Sequence, residues 1–420
     1  MHLYWATQEH CCTVRMTLKL RDDIDRDMIV EAVAAAQKRY PYMCMKVQKY
    51  VDADNSEFFG AEDNDLPWVV TPTIKPARLL SPESNFHLLA FSAWDNYLAI
   101  DFFHGLTDGM GAYNVLRTLL YEYCRRRYDN TLSREGIYVA GDAISPKEYE
   151  DPALLPHPEK LNPVIVPSTP RAINLYADGV TPISSTLETV FLQVDEEQMM
   201  KCVSSHGTTP AKMLTLVMAR AVARLHQDCK DAAPMAILAI NLRKPLGTPL
   251  TYKSIVSGIR MLITEDIQKL SIDEQAGKIK DMVAEQASPD NVTAMFWRLK
   301  DCMDMFDKMP TAAARQQAMQ GFSKNVKETG TFCMSYVGKS NFGAAEQYVI
   351  DMSTEIDTDY ALMLELNATG GRFNLSLMQR FSSDSYLDAI IDELRQLGLN
   401  VSISWRRPTI VAPIFDFYHD

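Results

Sequence analysis

Apolar and polar residues alternate near the start of the chain. Cys12, Val14, Met16, Leu18 and Leu20 fall on one side, with Thr13, Arg15, Thr17 and Lys19 between them. A period of two is the mark of a half-buried strand. Asp22 or Asp23 then offers an N-cap, and Ile24, Met28, Ile29, Val33 and Ala36 recur at helical spacing until Tyr40-Pro41 ends the pattern. Short strand candidates follow around Met43 to Val51, Trp68 to Ile74 and His87 to Ser92, and the acidic run Ala61 to Asp65 reads as a solvated loop. A continuous apolar run from Leu98 ends in Phe102, Phe103 and His104. The turn residues Gly105 to Gly109 come next, and a helical pattern starts near Ala112 and reaches Tyr128. Its apolar positions Val115, Leu116, Leu119, Leu120 and Tyr123 suit burial against a sheet, while Arg125, Arg126 and Arg127 at its end complement the helix dipole or grip a phosphate.

Between Asn130 and Thr186 the periodicity dissolves into prolines, as expected of a crossover between two units. Strand and helix then resume. Thr189 to Val194 reads as a strand, Asp195 caps a short helix through Ser204, and Thr209-Pro210 opens a longer one. Met235 to Arg243 reads as a buried strand and Thr331 to Val337 as another. Between them, Ser271 to Gln286 and Asn291 to Lys324 are helical, the second pattern broken near Pro310. Gly370-Gly371 joins Ala361 to Ala368 and Arg372 to Arg380 as a hairpin, and a helix from Asp384 to Leu397 ends at Gly398. The tail Thr409 to Phe417 is apolar and aromatic, suited to packing on a neighbouring sheet or covering an entrance. At 420 residues the chain exceeds what one core usually supports. The expected organisation is an N-terminal domain over residues 1–165, a linker over 166–186 and a C-terminal domain over 187–420, each with strands and amphipathic helices.

Composition narrows the function classes. With 47% hydrophobic residues the chain can bury two cores, and a formal charge of -12 disfavours a nucleic-acid partner. The eight cysteines form no C-x-x-C pairing and no dense disulfide framework, so they read as reduced thiols. No apolar run approaches a membrane span, and the N-terminal stretch lacks an export pattern, which gives a cytoplasmic expectation. Metal-ligand spacing, a Gly-x-Gly-x-x-Gly cofactor loop and a Gly-x-Ser-x-Gly nucleophile turn are all missing from the sequence. No metal and no tightly bound cofactor is expected.

The candidate chemistry therefore rests on His104. A histidine at the junction of strand, tight turn and helix is lifted off the sheet, where one ring nitrogen can be held while the other faces a cavity. Gly105, Gly109 and Gly111 permit backbone angles that a side chain would forbid. The spacing His104-x-x-x-Asp108-Gly109 resembles the H-x-x-x-D-G signature of the coenzyme A-dependent acyltransferase superfamily. That superfamily includes chloramphenicol acetyltransferase, the plant BAHD enzymes, polyketide-associated acyltransferases, alcohol acetyltransferases and peptide-synthetase condensation domains. Condensation domains usually carry a second histidine where this chain has Phe103. Arg39-Tyr40-Pro41 resembles the "RYP" step of many members, Asn241-Leu242-Arg243 their "N-x-R" strand end, and Ser340-Asn341-Phe342-Gly343 more loosely their "S-N-x-G" turn.

The resemblance implies a chloramphenicol acetyltransferase-like α/β fold with mixed sheets flanked by helices and an active-site channel between two domains. It implies an acyltransferase that moves an acyl group from a CoA thioester, or from acyl-pantetheine, to a hydroxyl or amine acceptor. His104 would be the general base, with no covalent acyl-enzyme. Asp108 would be structural and paired with Arg243, a pairing that charge compensation favours in its own right. Gly109 would leave room for the donor, and Ser340, Asn341 and Gly343 would offer donor or oxyanion contacts. Two alternatives are a condensation or acyl-transfer enzyme that takes its pantetheine on a carrier protein, and a superfamily fold kept as a non-catalytic binding scaffold.

Overall fold

The computed structural model describes residues 2–7, 10–164 and 166–415. Among these, β1 (Thr13–Leu20), β2 (Val70–Thr71), β3 (Leu89–Trp94), β4 (Tyr97–Phe103) and β9 (Val349–Ile356) form a mixed sheet in the order β9-β1-β4-β3-β2. A second mixed sheet contains β5 (Ile183–Asp195), β6 (Met235–Asn241), β7 (Val256–Leu262), β8 (Phe332–Lys339), β10 (Leu362–Thr369), β11 (Arg372–Phe381) and β12 (Val401–Pro408). Its order is β7-β6-β8-β10-β11-β5-β12, with β6, β8 and β10 parallel. The architecture is α/β, two mixed sheets flanked by helices.

Each sheet has its own core. Met16, Leu18 and Leu20 of β1 pack with the apolar faces of α1 (Arg26–Arg39) and α2 (Gly109–Arg127). Val115, Leu116, Leu119, Leu120 and Tyr123 of α2 are fully buried there, worth about 1.5–3 kcal/mol for each large side chain. The second sheet is covered by the helices Pro210–Leu225 and Ser385–Gln396, which pack against each other. β9 couples the sheets. It follows β8 in sequence yet pairs with β1, and it meets β10 and β11 through bonds from Asn367 Nδ2 to Met352 O (2.9 Å) and from Thr354 N to Ser376 Oγ (3.2 Å).

Several local expectations need correction. Asp25, not Asp22 or Asp23, caps α1 by accepting from Met28 N. Ala61 to Asp63 are not loop but part of a strand, Glu57–Asp63, paired with Met45–Val51. Its acidic side chains are tolerated because the hairpin is partly exposed and Glu62 meets Lys46 at 3.2 Å. The motif helix starts at Gly109, three residues earlier than its apolar periodicity, because the Asp108 side chain accepts from the Met110 and Gly111 amides. Pro310 separates two helices, Pro289–Asp307 and Ala312–Thr329. The tail packs against the first unit through Leu79 N to Pro413 O (2.8 Å) and Phe415 N to Leu79 O (3.0 Å), and Asp416 and Phe417 lie outside the described residues.

Candidate active site

β4 delivers His104 to the space between the two sheets. The His104 amide donates to Cys12 O (2.9 Å), so the residue stays tied to the end of β1 while the chain turns. Its ring Nδ1 lies 3.2 Å from Ser254 Oγ, in the turn that precedes β7. With the proton on Nδ1, that nitrogen donates to the serine and the Nε2 lone pair is left available. Nε2 has no hydrogen-bond partner among the described residues. The His2 ring stacks on the His104 ring, with centroids 5.5 Å apart and planes within 6°. Burial, then the neighbouring His104, hold His2 well below the usual imidazole range, so it stacks as a neutral ring.

Asp108 and Arg243 meet across the two halves of the chain. Arg243 Nη1 donates to Asp108 Oδ2 and Nη2 to Oδ1, both at 2.8 Å, and both side chains are buried. The bidentate pair is saturated on each side. Asp108 also accepts from the Met110, Gly111 and Ile255 amides, and Arg243 also donates to Thr251 O and Lys253 O at 2.8 Å each. One guanidinium thus fixes the start of α2 and the segment that carries Ser254. Asn241 adds to this by accepting from the Arg243 amide at 2.9 Å. Removing the Ser254 hydroxyl deletes one bond to the imidazole. A Ser254→Ala variant is expected to lose roughly 5-fold in turnover with donor KM unchanged, since a net hydrogen bond is worth about 1 kcal/mol. Steady-state kinetics read this, and a variant as fast as wild type counts against Ser254 as a positioning residue.

The glycines of the turn serve by close approach. None of Gly105, Gly109 and Gly111 has positive φ, contrary to the expectation of special backbone angles. A Cβ on Gly111 would lie 2.7 Å from Tyr252 O and collide with Thr107 Oγ1, so this glycine lets α2 sit against the Arg243 loop. At Gly109 the nearest atoms are the Val337 methyls, at 3.6 Å and 3.7 Å, an ordinary contact.

His104, Asp108 and Gly109 line a cavity of about 840 Å³ between the sheets. Ser254, Val256, Gly258 and Arg260 form one wall, and Cys333, Ser335, Met363 and Glu365 form another. His2, Trp5 and His10 close it from the N-terminal side, and Val164 and Val166 reach it from the proline-rich crossover. His10 meets Asp357 at 3.2 Å. Burial opposes its charge, but the contacts to Asp357 and Cys12 outweigh burial and raise its pKa.

Ser340, Asn341 and Gly343 are not among the residues that line this cavity. Ser340 Oγ bonds Glu346, the Asn341 amide donates to Tyr113 OH, and Gly343 (φ 58°) donates to Asn341 Oδ1 at 3.3 Å. With buried Phe342 packed on Tyr113 at 5.0 Å, the turn braces the end of β8 against α2. The three arginines that end α2 also lie away from the cavity. Arg125 and Arg126 bind Glu122, and Arg127 donates to Tyr123 OH at 2.8 Å. Arg39 instead holds the crossover in place, with Nη2 at 2.8 Å and 3.0 Å from the Glu148 carboxylate oxygens. The sequence alone did not single out Ser254, His2, His10 or Glu365.

The two mixed sheets flanked by helices form a chloramphenicol acetyltransferase-like two-domain α/β fold. Solved structures agree with this. The F. sporotrichioides TRI101 complexed with coenzyme A and T-2 matches with a TM-score of 0.61 at 11% identity, over 95% of this chain and 98% of that one. The condensation domain of the Monacolin K polyketide synthase MokA matches with a TM-score of 0.56 at 11% identity, over 92% of each chain. Polyketide synthase associated protein 5 from Mycobacterium tuberculosis matches at 0.55 and 13% identity, over 91% and 93%. At such identities the likeness is one of fold. No protein-family model and no curated protein matches the chain.

Proposed function

We propose that this protein is an acyltransferase that moves an acyl group from a CoA thioester to a hydroxyl or amine acceptor, with His104 as general base. The observation that carries this reading is the placement of His104. One ring nitrogen is engaged by Ser254, and the ring lines a cavity between the two sheets, in a fold shared with an acetyltransferase solved with coenzyme A. Nε2 accepts the proton of the acceptor as its oxygen or nitrogen attacks the thioester carbonyl. The tetrahedral intermediate then collapses with cleavage of the C–S bond, and the proton passes to the departing thiolate. No acyl-enzyme is needed. Asp108 takes no part in proton transfer, because its lone pairs are committed to Arg243 and to three backbone amides. Its role is to hold the His104 turn and the Ser254 segment in register.

The coenzyme is a co-substrate in this scheme, and pantetheine carried on a protein is the competing donor. The fold is shared with condensation domains as well as with acetyltransferases, which is why both donors belong in the test. Among the described residues no three His, Cys, Asp or Glu side chains cluster as metal ligands, and no helix is long and apolar enough to cross a membrane. Because the proposed step asks only for the His104 base, turnover is expected to survive a strong chelator within about 2-fold. Loss on chelation with recovery on added zinc or magnesium would overturn the metal-free scheme.

A further inference from the structure

Eight carboxylate side chains are buried among the described residues: Asp101, Asp108, Glu122, Glu148, Glu355, Asp359, Glu365 and Glu393. Seven have a cationic partner within 4 Å, namely Arg15, Arg243, Arg125, Arg39, Arg407, Lys327 and Arg220 respectively. Glu365 has none. It is 2% exposed in the middle of β10, opposite Ser335 of β8. It is also, with Met363, part of the cavity wall that faces the His104 turn. A buried acid with no cation beside it is costly on a central strand even with the Ser335 hydroxyl against it, and apolar neighbours would fill the site at lower cost. Its retention beside the cavity points to a ligand that meets it there.

Strand register relates Glu365 to Gly109 of the motif turn. Val337, two residues beyond Ser335, touches the position where a Gly109 Cβ would be. At roughly 3.3 Å per residue along a strand and 4.8 Å between strands, Glu365 is about 8 Å from Val337. We propose that Glu365 is a specificity-determining residue that binds a second hydroxyl or amino group of the acceptor, the substrate being a difunctional molecule such as a diol or amino alcohol. One polar group of that molecule meets His104 and the other meets Glu365, both of which line the same cavity. This rests on the acyl-transfer reading of His104. Burial pushes the Glu365 carboxyl up to about 8, opposed by the Ser335 hydroxyl. At neutral pH it therefore keeps its proton, and it can both donate to and accept from a hydroxyl. The cavity wall is largely apolar, with Val256, Ile237, Cys333 and Met363 among its residues, which suits an aliphatic spacer.

Binding, measured without turnover, separates this inference from the proposed reaction. Terminal diols of six to twelve carbons and the mono-alcohols of equal length are titrated into the full chain by calorimetry. The same series is repeated with Glu365→Leu and, should that variant not fold, with Glu365→Met. In the wild type the best diol is expected to bind at least about 10-fold tighter than its mono-alcohol, because a buried hydrogen-bonding group discriminates strongly against a ligand that leaves it unpaired. In the apolar variant the two should bind alike, with mono-alcohol affinity retained. Equal binding of diols and mono-alcohols by the wild type at every length overturns the assignment, as does a diol preference that persists in the variant. Absence of acyl transfer with a clear diol preference would count against the proposed reaction alone.

Discussion

Replacing His104 with alanine is expected to lower turnover by roughly 100- to 10,000-fold while leaving donor affinity nearly unchanged. The magnitude is that of general-base catalysis, the only task assigned to this ring. The separation of kcat from donor binding follows from the geometry, since β4, the Cys12 contact and the Asp108–Arg243 pair hold the turn without the imidazole. Calorimetric binding of an unreactive CoA thioether, together with steady-state turnover, checks both halves. Near-normal turnover would remove His104 from the mechanism. A matched loss of binding and rate would show that the ring holds the donor and does not move a proton.

Asp108 and Arg243 carry the second large effect. The pair is buried and bidentate, so removing one member strands the other as an uncompensated charge, a loss of about 3–5 kcal/mol. Asp108→Ala also removes the N-cap of α2, and Arg243→Ala also frees the Thr251 and Lys253 carbonyls. Both single variants should unfold at lower temperature or denaturant and should lose activity, because the Ser254 segment is released with the pair. The double variant should lose less than the sum of the two, since neither charge is then left alone. Denaturant unfolding of the four proteins gives the coupling energy. Strictly additive losses, or an Arg243→Ala protein as stable as wild type, would contradict the role given to the pair.

The parts of this site that could be read in the sequence share a physical property: their signals are local. The apolar run into Phe103, the turn and the amphipathic face of α2 announced strand, loop and helix around His104, and the chain folds that way. The Asp108–Arg243 contact is long-range, but a motif acid facing a strand-end arginine carries its own charge logic, and the resemblance supplied the pairing. What stayed hidden depends on tertiary surroundings. β7 has no alternation to find, because its Gly258 and Arg260 face the cavity, and so Ser254 beside it passed unnoticed. β9 carries Asp351 and Glu355 in a strand of the first sheet, where Glu355 is satisfied by Arg407 and by the Ile410 amide. β12 is an exposed edge whose polar residues do not read as strand. Glu365 is a single acid in an apolar run, and only its cavity and its lack of a cation give it meaning.

Release of free thiol from acetyl-CoA and longer acyl-CoA thioesters, followed with and without a panel of alcohols, diols and amines, tests the central claim most directly. The account expects release that requires an acceptor, yields the ester or amide in equal amount, and falls by at least about 100-fold in His104→Ala. No release from any CoA thioester, with transfer appearing only when the acyl group is presented on a carrier protein, would contradict the CoA-dependent reaction and favour the carrier-borne donor.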